Sequence, residues 1–191
     1  MSSQKNVLEV MLSSPRTVFT VQSLRMQTGS EDSQKLTKSL HYYVKERQIR
    51  NPRRGIYTKA TYDEREMACS LFRPSYISLE YVLQRSGIVF QYDDTVTSVS
   101  YLNRTVEIDG KTYQFRIIKP ELWIGMEGIE QKDNILMATP ERAFLDMVYL
   151  SAGNCYFDNL HPLHKKKVRQ LIPLYRSKAL TQRVTEMLNM Q

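Results

Sequence analysis

Ser33, Gln34, Lys35, Thr37, Lys38 and His41 crowd one short stretch of this chain, and Arg50, Arg53, Arg54 and Lys59 follow closely. Glutamine and serine side chains both donate and accept hydrogen bonds, so they can read base edges. Lysine and arginine favour guanine or phosphate oxygens. On a helix followed by a tight turn, such a set is chemistry for holding a polyanion rather than for breaking a bond.

Other groups carry side chains capable of reactive chemistry. His161 and His164 could join Cys155 or Asp158 around a metal, but Pro162 lies between the histidines and spoils a helical i, i+3 pairing. A fourth ligand is not evident, so no metal and no cofactor is expected. Cys69 and Cys155 lack the spacing of a zinc or disulfide framework and read as small buried hydrophobes. Asp93 and Asp94 fall in a turn, where paired carboxylates are solvated. The sequence has no phosphate-binding glycine loop, HExxH or GxSxG. The expectation is a protein that is not an enzyme. Lys165, Lys166, Lys167 and Arg169 form a second basic surface, which suits DNA, a protein partner or the acidic part of the chain itself.

Charge shows where these groups are carried. Residues 1–60 have eleven Lys/Arg against four Asp/Glu, which accounts for the whole net charge of +7 on the 191 residues. Residues 61–160 have nine basic and fifteen acidic residues, and residues 161–191 have seven and one. A basic head therefore precedes a body whose acidic middle and basic tail cancel. Domains are expected at 1–60 and 61–191. With 41% hydrophobic and 25% charged residues, the composition is that of a folded protein. No apolar run approaches the ~20 residues a membrane span needs. The amino terminus has no signal-peptide pattern, so a cytoplasmic protein without membrane contact is expected.

Three helices are expected in the head: Gln4–Ser13, a second capped by Thr20 and closed by Gly29, with Val21, Leu24 and Met26 inward, and a third from Ser30 to Arg47. The third buries Leu36, Leu40, Tyr43 and Val44 and turns Gln34, Thr37, Lys38, His41 and Lys45 outward. Glu31 and Asp32 put negative charge at its start, where it also suits the helix dipole. A strand, a basic turn and a strand follow over residues 49–59. That order describes a winged helix-turn-helix. The body reads as α+β: a helix capped by Ser78 and stopped by Gly87, strands from Thr95, a hairpin at Asp109-Gly110, a strand over Asn134–Ala138, a helix opened by Thr139-Pro140, and tail helices interrupted near Pro173.

The stretch from Arg73 to Gly87, with Pro74, Tyr76, Ile77, Ser78, Leu79 and Leu83, resembles the P-x-Y-I-S-L-x-x-A-L-x-x-x-G element of the AbiEi-type antitoxin and transcriptional regulator family. Arg54-Gly55-Ile56-Tyr57 looks like that family's wing strand, and Arg116–Leu122 like the end of its central hairpin. The segment Ala138–Asp146 looks like its A-T-P-E-x-A-L-L-D helix start. Val82 stands where alanine is usual. The resemblance spans roughly residues 50–150. It implies a winged-helix head on an α+β body, a repressor of its own operon, and a nucleotidyltransferase-like toxin counteracted without a stable complex. Together the two lines lead to a regulator that binds double-stranded DNA at its own promoter, as a homodimer on inverted half-sites. The alternative is a protein-interaction module that uses the acidic middle and basic tail.

Overall fold

The computed structural model describes residues 6–30, 32–123 and 126–189. The chain forms two compact units, Met1–Leu71 and Phe72–Gln191. The first extends past Ala60 and takes in the helix that follows.

The amino-terminal unit runs α1 (Val7–Ser13), β1 (Val18–Thr20), α2 (Val21–Thr28), α3 (Ser33–Lys45), β2 (Arg50–Arg53), β3 (Ile56–Thr58) and α4 (Glu64–Leu71). Its strands make an antiparallel sheet in the order β1-β3-β2, with Val18 opposite Thr58 and Thr20 opposite Ile56. Strand β1 is too short to stand out in sequence and is recognisable only from its pairing. Val7, Met11, Phe19, Leu24, Leu36, Leu40, Ile49 and Tyr57 form the core.

Local chemistry sets the helix ends. Asn6 caps α1 by accepting the Leu8 amide, while the expected start at Gln4 lies outside the described residues. Thr20 and Ser23 form a reciprocal capping box on α2, and Gly29 closes it at φ +66°, as expected. Met26 faces out, not in, at 79% exposed, because Leu24 and Thr28 take the buried side of α2. Helix α3 starts later than expected. Asp32 is its cap, accepting from Gln34 and Lys35, and Ser30 instead donates its hydroxyl to the Asp32 carbonyl. Glu31 lies outside the described residues.

Helix α4 belongs with this unit for a specific reason. The Glu66 carboxylate is buried and accepts the Thr17 amide at 2.6 Å, the Thr17 hydroxyl at 2.8 Å and the Val18 amide at 2.9 Å. Those bonds satisfy the Thr17 and Val18 amides at the entry of β1.

The carboxy-terminal unit is α+β, in agreement with the sequence. Its six strands are β4 (Ser75–Ile77), β5 (Val96–Ser100), β6 (Arg104–Ile108), β7 (Lys111–Ile117), β8 (Ile129–Lys132) and β9 (Ile135–Ala138), in the order β6-β7-β5-β4-β9-β8. The pairs β4–β9 and β5–β7 are parallel and the rest antiparallel. Asp109 and Gly110 both have positive φ, 53° and 77°, as the two-residue hairpin turn between β6 and β7 requires. Every residue of β5 is buried, so its alternation does not mark a solvent face.

Helices α5 (Glu80–Arg85), α7 (Lys165–Leu171) and α8 (Lys178–Met187) pack on α6 (Pro140–Leu150), which is buried from Glu141 to Val148. Thr139 caps α6 and Pro140 opens it, as expected. Ser78 does not cap α5. The position before that helix is Leu79, at φ +60°, and Thr97 serves the junction, its hydroxyl donating to the Ser78 carbonyl and accepting from the Tyr81 amide. Cys69 is buried, whereas Cys155 is partly exposed.

Candidate nucleic-acid interface

Leu36 and Leu40 are buried under α3, and Tyr43 and Val44 pack beside them. The opposite side of the helix is set by that choice. Gln34, Lys38, His41 and Lys45 recur at i, i+4, i+7 and i+11, and all four are exposed. Lys35 and Tyr42 flank this row, Tyr42 at 59% exposed. The segment 33–45 contains no Asp or Glu, so the face is cationic along its length.

Ser33 and Thr37 stand apart. Ser33 is exposed and Thr37 half-buried, and the Thr37 hydroxyl donates to the Ser33 carbonyl at 2.8 Å. Among the described residues, Asp32 is the carboxylate at this end. The Lys35 amide holds its carboxyl below the usual range, helped by the Gln34 amide, and Lys35 Nζ lies 3.8 Å from it. A groove of about 520 Å³ runs beside this face, with Asn6, Lys35, Lys38, Ser39 and Tyr43 among its walls. The Tyr43 hydroxyl donates to Asn6 across it, at 3.2 Å.

The hairpin β2–β3 has its own brace. Asn51 donates through Nδ2 to the Arg53 carbonyl at 2.8 Å and the Ile56 carbonyl at 2.6 Å. Gly55 takes φ +81°, which closes the turn. Arg54 stands exposed on that turn and Arg53 is half-buried beside it. Arg50 is placed further back, Nη1 3.5 Å from the Ala60 carbonyl and the guanidinium 5.9 Å from the Tyr62 ring centre.

Lys59 is placed elsewhere again. Its ammonium donates to the Leu12 and Ser14 carbonyls at 3.3 and 2.6 Å, closing the end of α1. Lys165, Lys166, Lys167 and Arg169 are all exposed on α7, above buried Val168 and Leu171, in the other unit. Gln34, Lys35, Lys38 and His41 thus share one helix face and Arg53 and Arg54 one turn, while Ser33, Thr37, Arg50 and Lys59 are set aside from both. Tyr42 is the member of the face that residue chemistry missed. Its signal was spacing, seven residues beyond Lys35 on the same exposed side.

The other concentration of polar chemistry is closed. Asp146, fully buried, accepts from Ser78 at 2.7 Å, Tyr175 at 2.6 Å, Tyr76 at 3.1 Å and Arg142 Nε at 3.2 Å. Arg142 also donates to the Glu127 and Leu122 carbonyls and the Tyr76 hydroxyl. Burial pushes the Asp146 carboxyl up against the pull of Arg142, and pushes the Tyr76 and Tyr175 phenols well up. With its oxygens taken and its atoms out of water, the cluster organises the core rather than meeting a substrate. Among the described residues, no three His, Cys, Asp or Glu side chains gather as a metal site, and no helix is long and apolar enough to cross a membrane.

In comparison with known proteins, no family description matches this chain, and no curated protein matches it.

Proposed function

We propose that the amino-terminal unit is a winged helix-turn-helix and that the chain is a sequence-specific regulator that binds double-stranded DNA. In this reading α3 enters the major groove, with Gln34, Lys38 and His41 toward base edges and Lys35 and Lys45 toward phosphates. The turn carrying Arg53 and Arg54 is the wing, which meets the neighbouring backbone. The observation that carries the reading is the outward face of α3, cationic from end to end with glutamine and histidine among the lysines, followed in the chain by a braced basic hairpin.

The resemblance in residues 50–150 adds the biological setting. The DNA is the protein's own promoter, bound by two copies on inverted half-sites. The operon partner is a nucleotidyltransferase-type toxin that this antitoxin-type repressor counteracts. Nothing in the face of α3 bears on the toxin, so that part rests on the resemblance alone.

A gel-shift with DNA from immediately upstream of the protein's own coding sequence tests the reading against unrelated DNA of the same length. Retention of the upstream fragment under excess unrelated competitor is expected. Equal competition by both would remove the sequence-specific claim. No shift at low salt would remove the DNA claim and leave a protein-binding module.

A further inference from the structure

Beside the short turn at Pro120–Trp123, the carboxy-terminal unit has an open cavity of about 380 Å³, within the size range of small-ligand sites. One wall is aromatic and apolar. Tyr175 is buried, with its hydroxyl committed to Asp146, so its ring is fixed; Tyr149 lies 5.5 Å from it between ring centres, and Leu122 completes the wall.

The lining is also cationic. Arg176 is held in the left-handed region at φ +47°, its amide donating to the Pro173 carbonyl at 3.2 Å, and Lys119 faces the same cavity. Among the described residues, neither Lys119 nor Arg176 has a carboxylate partner. Ser177, which caps α8 through the Leu180 amide, lines the cavity as well. Among the described residues lining it, Glu121 is the only acid, leaving an excess of one positive charge.

We propose that this cavity binds a small organic anion, with a carboxylate or phosphate held by Arg176 and Lys119 and a single apolar ring against Tyr149, Tyr175 and Leu122. An apolar wall in a cavity with two cations against one carboxylate selects for both halves of such a molecule. Glu121 opposes the anion and sets the affinity down. The site belongs to the carboxy-terminal unit and stands independently of the DNA reading.

The test is an amide-resolved NMR titration of the full chain with benzoate, phenyl phosphate and inorganic phosphate. Benzoate and phenyl phosphate are expected to move the amides of Lys119, Tyr149 and Ser177, and to bind more tightly than inorganic phosphate. R176Q and K119Q should each weaken binding about tenfold or more, and E121Q should tighten it. All three residues are exposed, so an unchanged melting temperature shows that the fold persists. Should R176Q fail to fold, K119Q and E121Q carry the same test with opposite signs. Amides that stay still up to about 10 mM of either ring-bearing anion would overturn the proposal. Inorganic phosphate binding as tightly as phenyl phosphate, or E121Q weakening the site, would do so too.

Discussion

The Glu66 carboxylate accepts both the amide and the hydroxyl protons of Thr17, at 2.6 and 2.8 Å, and so ties α4 to the strand that opens the basic sheet. A buried acceptor serving three donors is costly to remove, because the amides of Thr17 and Val18 then lose their partner out of water. Glu66→Ala is expected to lower the stability of the amino-terminal unit by about 2–4 kcal/mol, read by urea denaturation. A fragment of residues 1–60 lacks Glu66 and should be markedly less stable than one of residues 1–71. Equal stability of the two fragments would refute this role for α4.

Arg142 and Asp146 form an ion pair that is 1% and 0% exposed, respectively. Removing one partner strands the other charge in the core, so Asp146→Asn and Arg142→Met should each cost about 3–5 kcal/mol. The double substitution R142M/D146N should cost less than the two single changes summed, since no lone charge remains. Strict additivity in a double-mutant cycle would show that the pair is uncoupled.

Acid should act on the amino-terminal unit through Asp63. Burial opposes ionisation of its carboxyl, but the Arg65 side chain, 2.6 Å away, and the Arg65 and Glu66 amides outweigh burial and hold it below its ordinary 3.8. A folded value below the unfolded one gives stability that is present above the unfolded value and lost as pH falls through the folded one. Asp63→Asn should therefore lose less stability than wild type between about pH 5 and pH 2. Asp146 is raised, so its contribution has the opposite sign and grows as pH falls. Amide exchange in α4 isolates the Asp63 effect, and identical acid profiles there for wild type and D63N would contradict it.

The turn between β2 and β3 depends on Asn51, whose Nδ2 donates to two carbonyls across the hairpin. Asn51→Ala removes both bonds and should cost about 1–2 kcal/mol. Because the turn presents Arg53 and Arg54, the same change should weaken DNA binding without altering charge. Unchanged affinity in a stably folded N51A would mean that the hairpin makes no contact.

Much of this fold was legible from local signals, and its gaps have physical causes. Thr20 and Gly29, Asp109-Gly110 and Thr139-Pro140 each fix a backbone geometry from within a few residues, and each marks the boundary expected of it. Strands β1 and β4 are three residues long and are held by distant partners, so no periodicity announces them. The bond from Ser78 to Asp146 spans 68 positions, and a serine before a helix looks like a cap from sequence alone. On α3 the stripe of leucines told that Gln34, Lys38, His41 and Lys45 face out, whereas Thr37, expected with them, is half-buried. Residue type alone left Lys59 among the candidate phosphate contacts, although the carbonyls ending α1 take its protons.

The most direct test of the central claim is the salt dependence of binding to the upstream DNA, followed by fluorescence anisotropy for wild type, K45Q and R54Q. A protein that places these two side chains on phosphates should show a log affinity falling linearly with log salt, and each substitution should flatten that slope by about one unit while leaving the melting temperature unchanged. Slopes identical to wild type in both variants would contradict the assignment of the α3 face and its hairpin to DNA.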